Sequence, residues 1–206
     1  MHISEGILPP TISIGGYIVS AVVTGITIKK VSLDDVPKIS LVTAAFFVST
    51  FIHIKLGPTS IHLTLNGLMG IILGISSFPA ILVALFLQAV LFQHGGILPL
   101  GINVFCFGIP ALISHYLFQF TFTKFKAKLL LIKLIGGLSG GLAVAISGVM
   151  LALVLIMSGK EFTTFAYFFA WTHIVLMFIE SLLTFLVLNF ILKVKPELIK
   201  SSKLTL

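Results

Sequence analysis

The sequence predicts an all-α, polytopic membrane protein. Apolar residues make up 58% of the chain, only 9% are charged, mean hydropathy is +1.20, and the apolar runs are long and unbroken. Soluble domains carry about 25% charged residues, so water is a poor solvent for most of this surface. Within a bilayer every backbone N–H and C=O needs a partner inside the protein, which leaves helices or a closed barrel. The runs lack the apolar/polar alternation of barrel strands, so a helix bundle remains. No composition shift or long repeat divides it, and one domain is expected over residues 1–206.

Seven apolar segments follow in order: 11–28, 39–54, 61–75, 78–92, 101–120, 134–157 and 165–192. The second, third and fourth are shorter than the roughly 20 residues a spanning helix usually needs, so some of them are candidates for re-entrant pieces. The last is long enough to tilt or to run past the bilayer. Lysine, with no arginine, supplies the whole basic balance, and net charge is +7. Seven crossings with the N-terminus outside and the C-terminus inside put Lys29, Lys30, Lys38, Lys124, Lys126, Lys128, Lys133, Lys193, Lys195, Lys200 and Lys203 on the cytoplasmic side. Only Lys55 and Lys160 fall outside. That asymmetry is the positive-inside pattern, and it explains the charge without nucleic acid. Merging the third and fourth segments into one hairpin-like insertion is the main alternative count.

Small residues mark where helices pack. Residues 134–148 read LIGGLSGGLAVAISG, and the third segment holds Gly67, Gly70 and Gly74. Such spacing lets backbones approach closely. Cys106, the one cysteine, lies within an apolar run and reads as a packing residue.

No GxxxxGK[ST] loop, GxSxG elbow or HExxH pair occurs, so nucleotide energy has to come through a partner and no enzymatic motif is present. The opening MHISEGILPP has no basic n-region and is expected to be retained. The few polar residues carry the chemistry. Under the predicted topology His2, His62 (beside Ser60, after Gly57 and Pro58) and His94 all meet the outer surface, which is a metal-site signal. Position 2 is the most informative. A free Met1 amine, the Met1–His2 amide nitrogen and the His2 imidazole Nδ1 can chelate one ion through fused small rings. Loss of the amide proton calls for Ni(II), Cu(II) or Co(II), and a planar nitrogen set favours the first two over Zn(II). His62 is a candidate fourth nitrogen. His53 reads as a residue at the end of the second helix, and His115 as a packing histidine. His173 and Glu180 lie seven residues apart on one helix face. A carboxylate inside an apolar helix points to function or to helix locking. Asn66, Asn103 and Asn189 suit hydrogen bonds between helices.

These residues also carry a family likeness. Met1-His2-Ile3 with Glu5-Gly6 and Leu8-Pro9-Pro10, then Gly57-Pro58-Thr59-Ser60-Ile61-His62-Leu63, resemble the substrate-binding membrane subunit of energy-coupling-factor nickel/cobalt transporters. The likeness continues through Gly67, Gly70 and Gly74, through 88–92 with His94-Gly95-Gly96, through Leu100-Gly101-Ile102-Asn103, and ends at Glu180 and Thr184. It implies that residues 1–10 fold back into the bundle as a metal-binding segment. The ion would be held by the Met1 amine, the His2 backbone nitrogen, its imidazole and His62. Ser60, His94 and Asn103 would orient those ligands or line the ion's path. The resemblance also implies a transmembrane coupling subunit, cytoplasmic ATPase subunits, a small accessory membrane subunit, a prokaryotic cytoplasmic membrane, and a feed into nickel enzymes or cobalamin synthesis. Cys106 and Ser181 stand where the family often has Asn and Gly. The Ser-x-His-Leu form is similar to nickel-type or mixed members and the His94-Gly-Gly form to cobalt-type ones, so Ni(II) and Co(II) both stay open.

The expected function is capture and uptake of one of these ions, powered by partners and not by chemistry of this chain. Two other readings stay open. One is a stand-alone carrier in which Glu180 and His173 relay protons. The other is an intramembrane enzyme with ligands at His115, His173 and Glu180. Glu180 is expected to matter for folding and coupling more than for metal affinity, because it lies far along the chain from the N-terminal segment.

Overall fold

The computed structural model describes residues 2–56, 59–125 and 128–199, with the backbone alone over 53–61. Among these residues seven α-helices follow in order: α1 Pro10–Thr27, α2 Val36–Ser49, α3 Asn66–Leu73, α4 Ser77–Phe92, α5 Leu100–Lys124, α6 Leu129–Ser158 and α7 Thr163–Val194. Five stretches are long and apolar enough to cross a membrane: Pro10–Lys30, Asn66–Phe92, Leu100–Lys124, Leu129–Ser158 and Lys160–Val194. The protein is thus a helical, multi-pass membrane protein. Pro10 and Pro37 open α1 and α2 at positions whose N–H groups need no helical partner.

The element between α2 and α3 departs from the expected helices. β1 (His53–Leu56) pairs antiparallel with β2 (Thr59–His62), with His53 opposite His62. The second apolar segment therefore stops being helical at Ser49, and the third starts as strand, becoming helix only at Asn66. The Gly57-Pro58 pair that separates the strands lies outside the described residues.

The 66–92 stretch is not one straight rod. Gly67 accepts the Ser114 hydroxyl at 3.1 Å, Gly70 lies against Ala111, and Gly74 lies under the His115 ring, so α3 runs along α5 from its middle toward its end. Phe78 then packs back on Gly108. The chain reverses through the 3₁₀ turn Gly74–Ser76, where Gly74 has φ +62°, a value a side chain would strain. So α3 is a half-helix that begins deep in the protein, preceded by the non-helical residues 63–65, of which Leu65 has φ +46°. Its first turn is buried, with Asn66 and Gly67 fully packed.

Buried N–H groups at a helix start need acceptors. Glu180, 1% exposed in the middle of α7, supplies them. Its carboxylate accepts from the Thr64 N–H, the Thr64 hydroxyl at 2.8 Å and the Leu65 N–H at 2.9 Å. The carboxylate thus ties α7 to the chain just before α3.

The glycines of α6 do what their spacing predicts. Gly148 lies against His173, Gly141 and Gly137 against Ser181, Gly140 against Thr184 and Gly136 against Leu188, which brings α6 and α7 together antiparallel. A Cβ on Gly67 would sit 2.6 Å from the Gly140 Cα, so α3 and α6 also meet backbone to backbone. Asn66 ties α3 to α5 and α6 through the Phe107 carbonyl at 3.2 Å and the Ser147 hydroxyl at 2.8 Å. Asn189 accepts from Lys133 at 2.9 Å. Cys106 is fully buried in the core with Phe78 and Phe107, as a packing residue should be.

Candidate metal centre

The centre forms where the chain's first residues dock on the bundle. The segment before α1 is held at two points. Ile3, 2% exposed, donates its N–H to Asn103 Oδ1 at 3.0 Å and accepts from Asn103 Nδ2 at 3.0 Å. The Glu5 carboxylate accepts from the N–H groups of Ile97 and Leu98 at 2.7 and 3.2 Å. The Gly95-Gly96 pair makes room for this. Both have positive φ, +84° and +90°; a Cβ on Gly95 would lie 3.2 Å from the His2 Cβ, and one on Gly96 would strike the Glu5 side chain. Gly16 and Gly101 let α1 lie against the start of α5, and Ser20 donates to the Gly101 carbonyl at 2.6 Å.

The docked segment places His2 between two other histidines. Ring centroids lie 5.2 Å apart for His2 and His62, 4.8 Å for His2 and His94, and 5.6 Å for His62 and His94, and the His2 ring meets the Phe107 ring edge-on at 5.2 Å. Each ring offers one nitrogen, and these atoms all lie within 4.8 Å of one another. Two imidazole nitrogens on one ion are at most about 4 Å apart, twice the metal–nitrogen bond. The rings therefore need to close by less than about 1 Å to share an ion.

Hydrogen bonds choose the nitrogens. His2 Nε2 lies 2.9 Å from Gln88 Oε1, an acceptor, so Nε2 carries the proton and Nδ1 keeps the lone pair. His62 Nδ1 lies 3.0 Å from the Leu63 carbonyl, which leaves the lone pair on Nε2. Burial pushes the His62 imidazole below its usual value, against a smaller opposing effect of the Leu63 carbonyl, so the ring is neutral and able to ligate at pH 7. Gln88 also fixes the third ring's backbone: its carbonyl accepts the His94 N–H at 3.1 Å. The importance of Gln88 was not read from the sequence. A glutamine near the end of an otherwise apolar helix, six residues before a histidine, was the available signal.

The predicted residues fare differently. His2, His62 and His94 come together, and Asn103 reaches the site through the Ile3 backbone. Met1 and the Ser60 side chain lie outside the described residues, as does the His53 side chain. His53 itself opens β1 instead of closing α2. His115, His173 and Glu180 form no group able to hold an ion among the described residues. The His115 ring lies over Gly74, His173 Nδ1 faces the Phe169 carbonyl of its own helix at 2.8 Å, and Glu180 is engaged with Thr64 and Leu65.

Comparison with known proteins points the same way. Residues 2–198 match the model of the family described as the cobalt uptake substrate-specific transmembrane region. A Haemophilus influenzae protein, provisionally named for metal transport, is 32% identical over 98% of both chains. A cobalt transport protein of Acetoanaerobium sticklandii is 35% identical over 96% of this chain and 86% of its own. A solved transition metal transporter, 24% identical, superposes with a TM-score of 0.80 over 94% of this chain and 93% of that one, which bears on the fold.

Proposed function

The chain belongs to the cobalt uptake substrate-specific transmembrane family, and on that premise we propose that it is the substrate-capturing subunit of an ATP-driven energy-coupling-factor transporter for Ni(II) or Co(II). The ion is held by the Met1 amine, the deprotonated His2 amide nitrogen, His2 Nδ1 and His62 Nε2, with His94 and Ser60 beside it and Asn103 fastening the segment. The observation that carries this reading is the His2–Gln88 hydrogen bond, which leaves Nδ1 as the lone-pair nitrogen. Only Nδ1 closes a six-membered ring with the residue's own amide nitrogen. Residues 1–10 are then the metal-binding segment of a single membrane domain.

The proposed topology has seven crossings, with the metal centre outside and the C-terminus inside. Support comes from the reversal at Gly74–Ser76, which turns α4 back against the path of α3, and from the lysine asymmetry. α2, at 14 residues, completes its crossing with help from β1. A reporter fused after Leu206 should be active only in the cytoplasm.

Energy is proposed to come from ATPase subunits through a transmembrane coupling subunit, with a small accessory membrane subunit alongside. The alternative, a proton-coupled carrier built on Glu180 and His173, has less support, since each is hydrogen-bonded elsewhere and not to the other. Radiometal uptake in proteoliposomes separates the two. Uptake only with the coupling and ATPase subunits and ATP is expected. Uptake by this chain alone, driven by a proton gradient, would overturn the proposal.

A further inference from the structure

Glu180 binds the chain at the point where the strand carrying His62 becomes the half-helix α3. His62 ends β2, and the carboxylate takes the N–H groups of Thr64 and Leu65, two and three residues on. Both carboxylate oxygens are used, since Leu65 N lies 3.1 Å from Oε1 and 2.9 Å from Oε2. Among the described residues, each hydrogen-bond contact to Glu180 comes from a donor, which suits an ionised acceptor. Leu65, the residue before α3, has φ +46° and no side chain of its own segment caps the helix. The cap is therefore supplied from α7, 115 residues away in sequence. It meets the positive end of the α3 dipole, where a carboxylate is favourable. On the other side of the junction the His62 ring is anchored to the Leu63 carbonyl. The two anchors share one short stretch of backbone: Leu63 fixes the imidazole, and the next two residues are fixed by Glu180.

We infer that Glu180 is a positioning residue for metal capture: by clamping Thr64 and Leu65 to α7 it sets where His62 stands relative to His2. This rests on the reading of His62 as a ligand. It also revises the expectation that Glu180 acts far from the site. A residue of this kind changes affinity through one ligand, whereas a purely structural residue changes only the fraction of protein that folds.

The test is a double-mutant cycle on the full-length protein, purified in detergent, its native N-terminus confirmed by mass spectrometry, with Cu(II) and Ni(II) as probes. Glu180→Gln keeps the volume, but its amide offers one acceptor oxygen where the carboxylate has two. The folded fraction is expected to lose about tenfold in affinity, as for other residues that orient a ligand. Its Cu(II) visible spectrum should shift toward that of His62→Ala. The double variant Glu180→Gln/His62→Ala should bind no more weakly than His62→Ala alone, because both changes act through one ligand. Thr64→Val, which removes only the hydroxyl donor, keeps the test alive if Glu180→Gln folds poorly; a loss of about threefold is expected. Wild-type affinity and spectrum in both folded variants would overturn the inference, as would losses that add in full to that of His62→Ala. A His62→Ala protein with undiminished affinity would overturn the ligand reading itself, and is recognised without any change at position 180.

Discussion

Asn103→Leu isolates the docking of the N-terminal segment from the chemistry of the ligands. Asn103 holds the Ile3 main chain through two buried hydrogen bonds of 3.0 Å each. Leucine fills a similar volume and can make neither. A typical net hydrogen bond is worth about 0.5–1.5 kcal/mol, so losing both costs docking about 1–3 kcal/mol. At about 1.4 kcal/mol per factor of ten, that predicts a loss of about 5- to 150-fold in Ni(II) affinity. Asn103→Asp should fall between, since it keeps an acceptor for the Ile3 N–H but has no donor for the Ile3 carbonyl. Titration calorimetry on purified protein, with a thermal melt to confirm folding, is the assay. Affinity within twofold of wild type in folded Asn103→Leu would refute the view that the Ile3 clamp preorganises the site.

Other consequences follow from the same geometry. Gln88→Leu removes the acceptor that keeps the proton on His2 Nε2, and calorimetry should show affinity falling about 10- to 100-fold. Gly96→Ala puts a side chain at φ +90° and into Glu5; weaker metal binding with nearly unchanged melting is expected, since the defect lies where the N-terminal segment docks and not in the core. Gly67→Ala forces a Cβ to 2.6 Å from the Gly140 Cα, and a destabilisation of about 1–3 kcal/mol should appear as a lower melting temperature. Binding should release protons and weaken as pH falls from 8 toward 6. The amine, with an ordinary value of about 8, must deprotonate to ligate, whereas burial holds His62 below its usual value and so makes it the smaller contributor to the pH dependence. Calorimetry in buffers of different ionisation enthalpy measures the release, and a pH-independent affinity would count against an amine ligand.

Much of this architecture is legible in the sequence because lipid imposes simple rules. Five of the seven apolar segments correspond within a few residues to α1, α4, α5, α6 and α7, and the glycines of 134–148 meet α7 as their spacing predicts. The region between α2 and α3 is not legible in that way. β1 and β2 pair antiparallel where the second and third apolar segments were expected to be helical, and periodicity cannot separate short strands from short helices there. The His2, His62 and His94 convergence followed from topology, since three loops on one side of a bundle must be near one another. What topology could not supply was the hydrogen bonding that selects nitrogens. Gln88 and Glu180 act on residues 86 and 116 positions away, and no local pattern encodes such pairs.

The central claim is that the chain's own first amine is a metal ligand. One residue added before Met1, and shown by mass spectrometry to be retained, converts that amine into an amide and moves the free amine one residue outward. The added residue lies outside the apolar core, so the bundle should fold and melt almost as wild type. The measurement is Ni(II) and Co(II) affinity and metal content of that purified protein. The account predicts near-complete loss of binding, larger than that of His62→Ala. Near-wild-type affinity would contradict it and leave the histidine side chains His2, His62 and His94 as the only ligands.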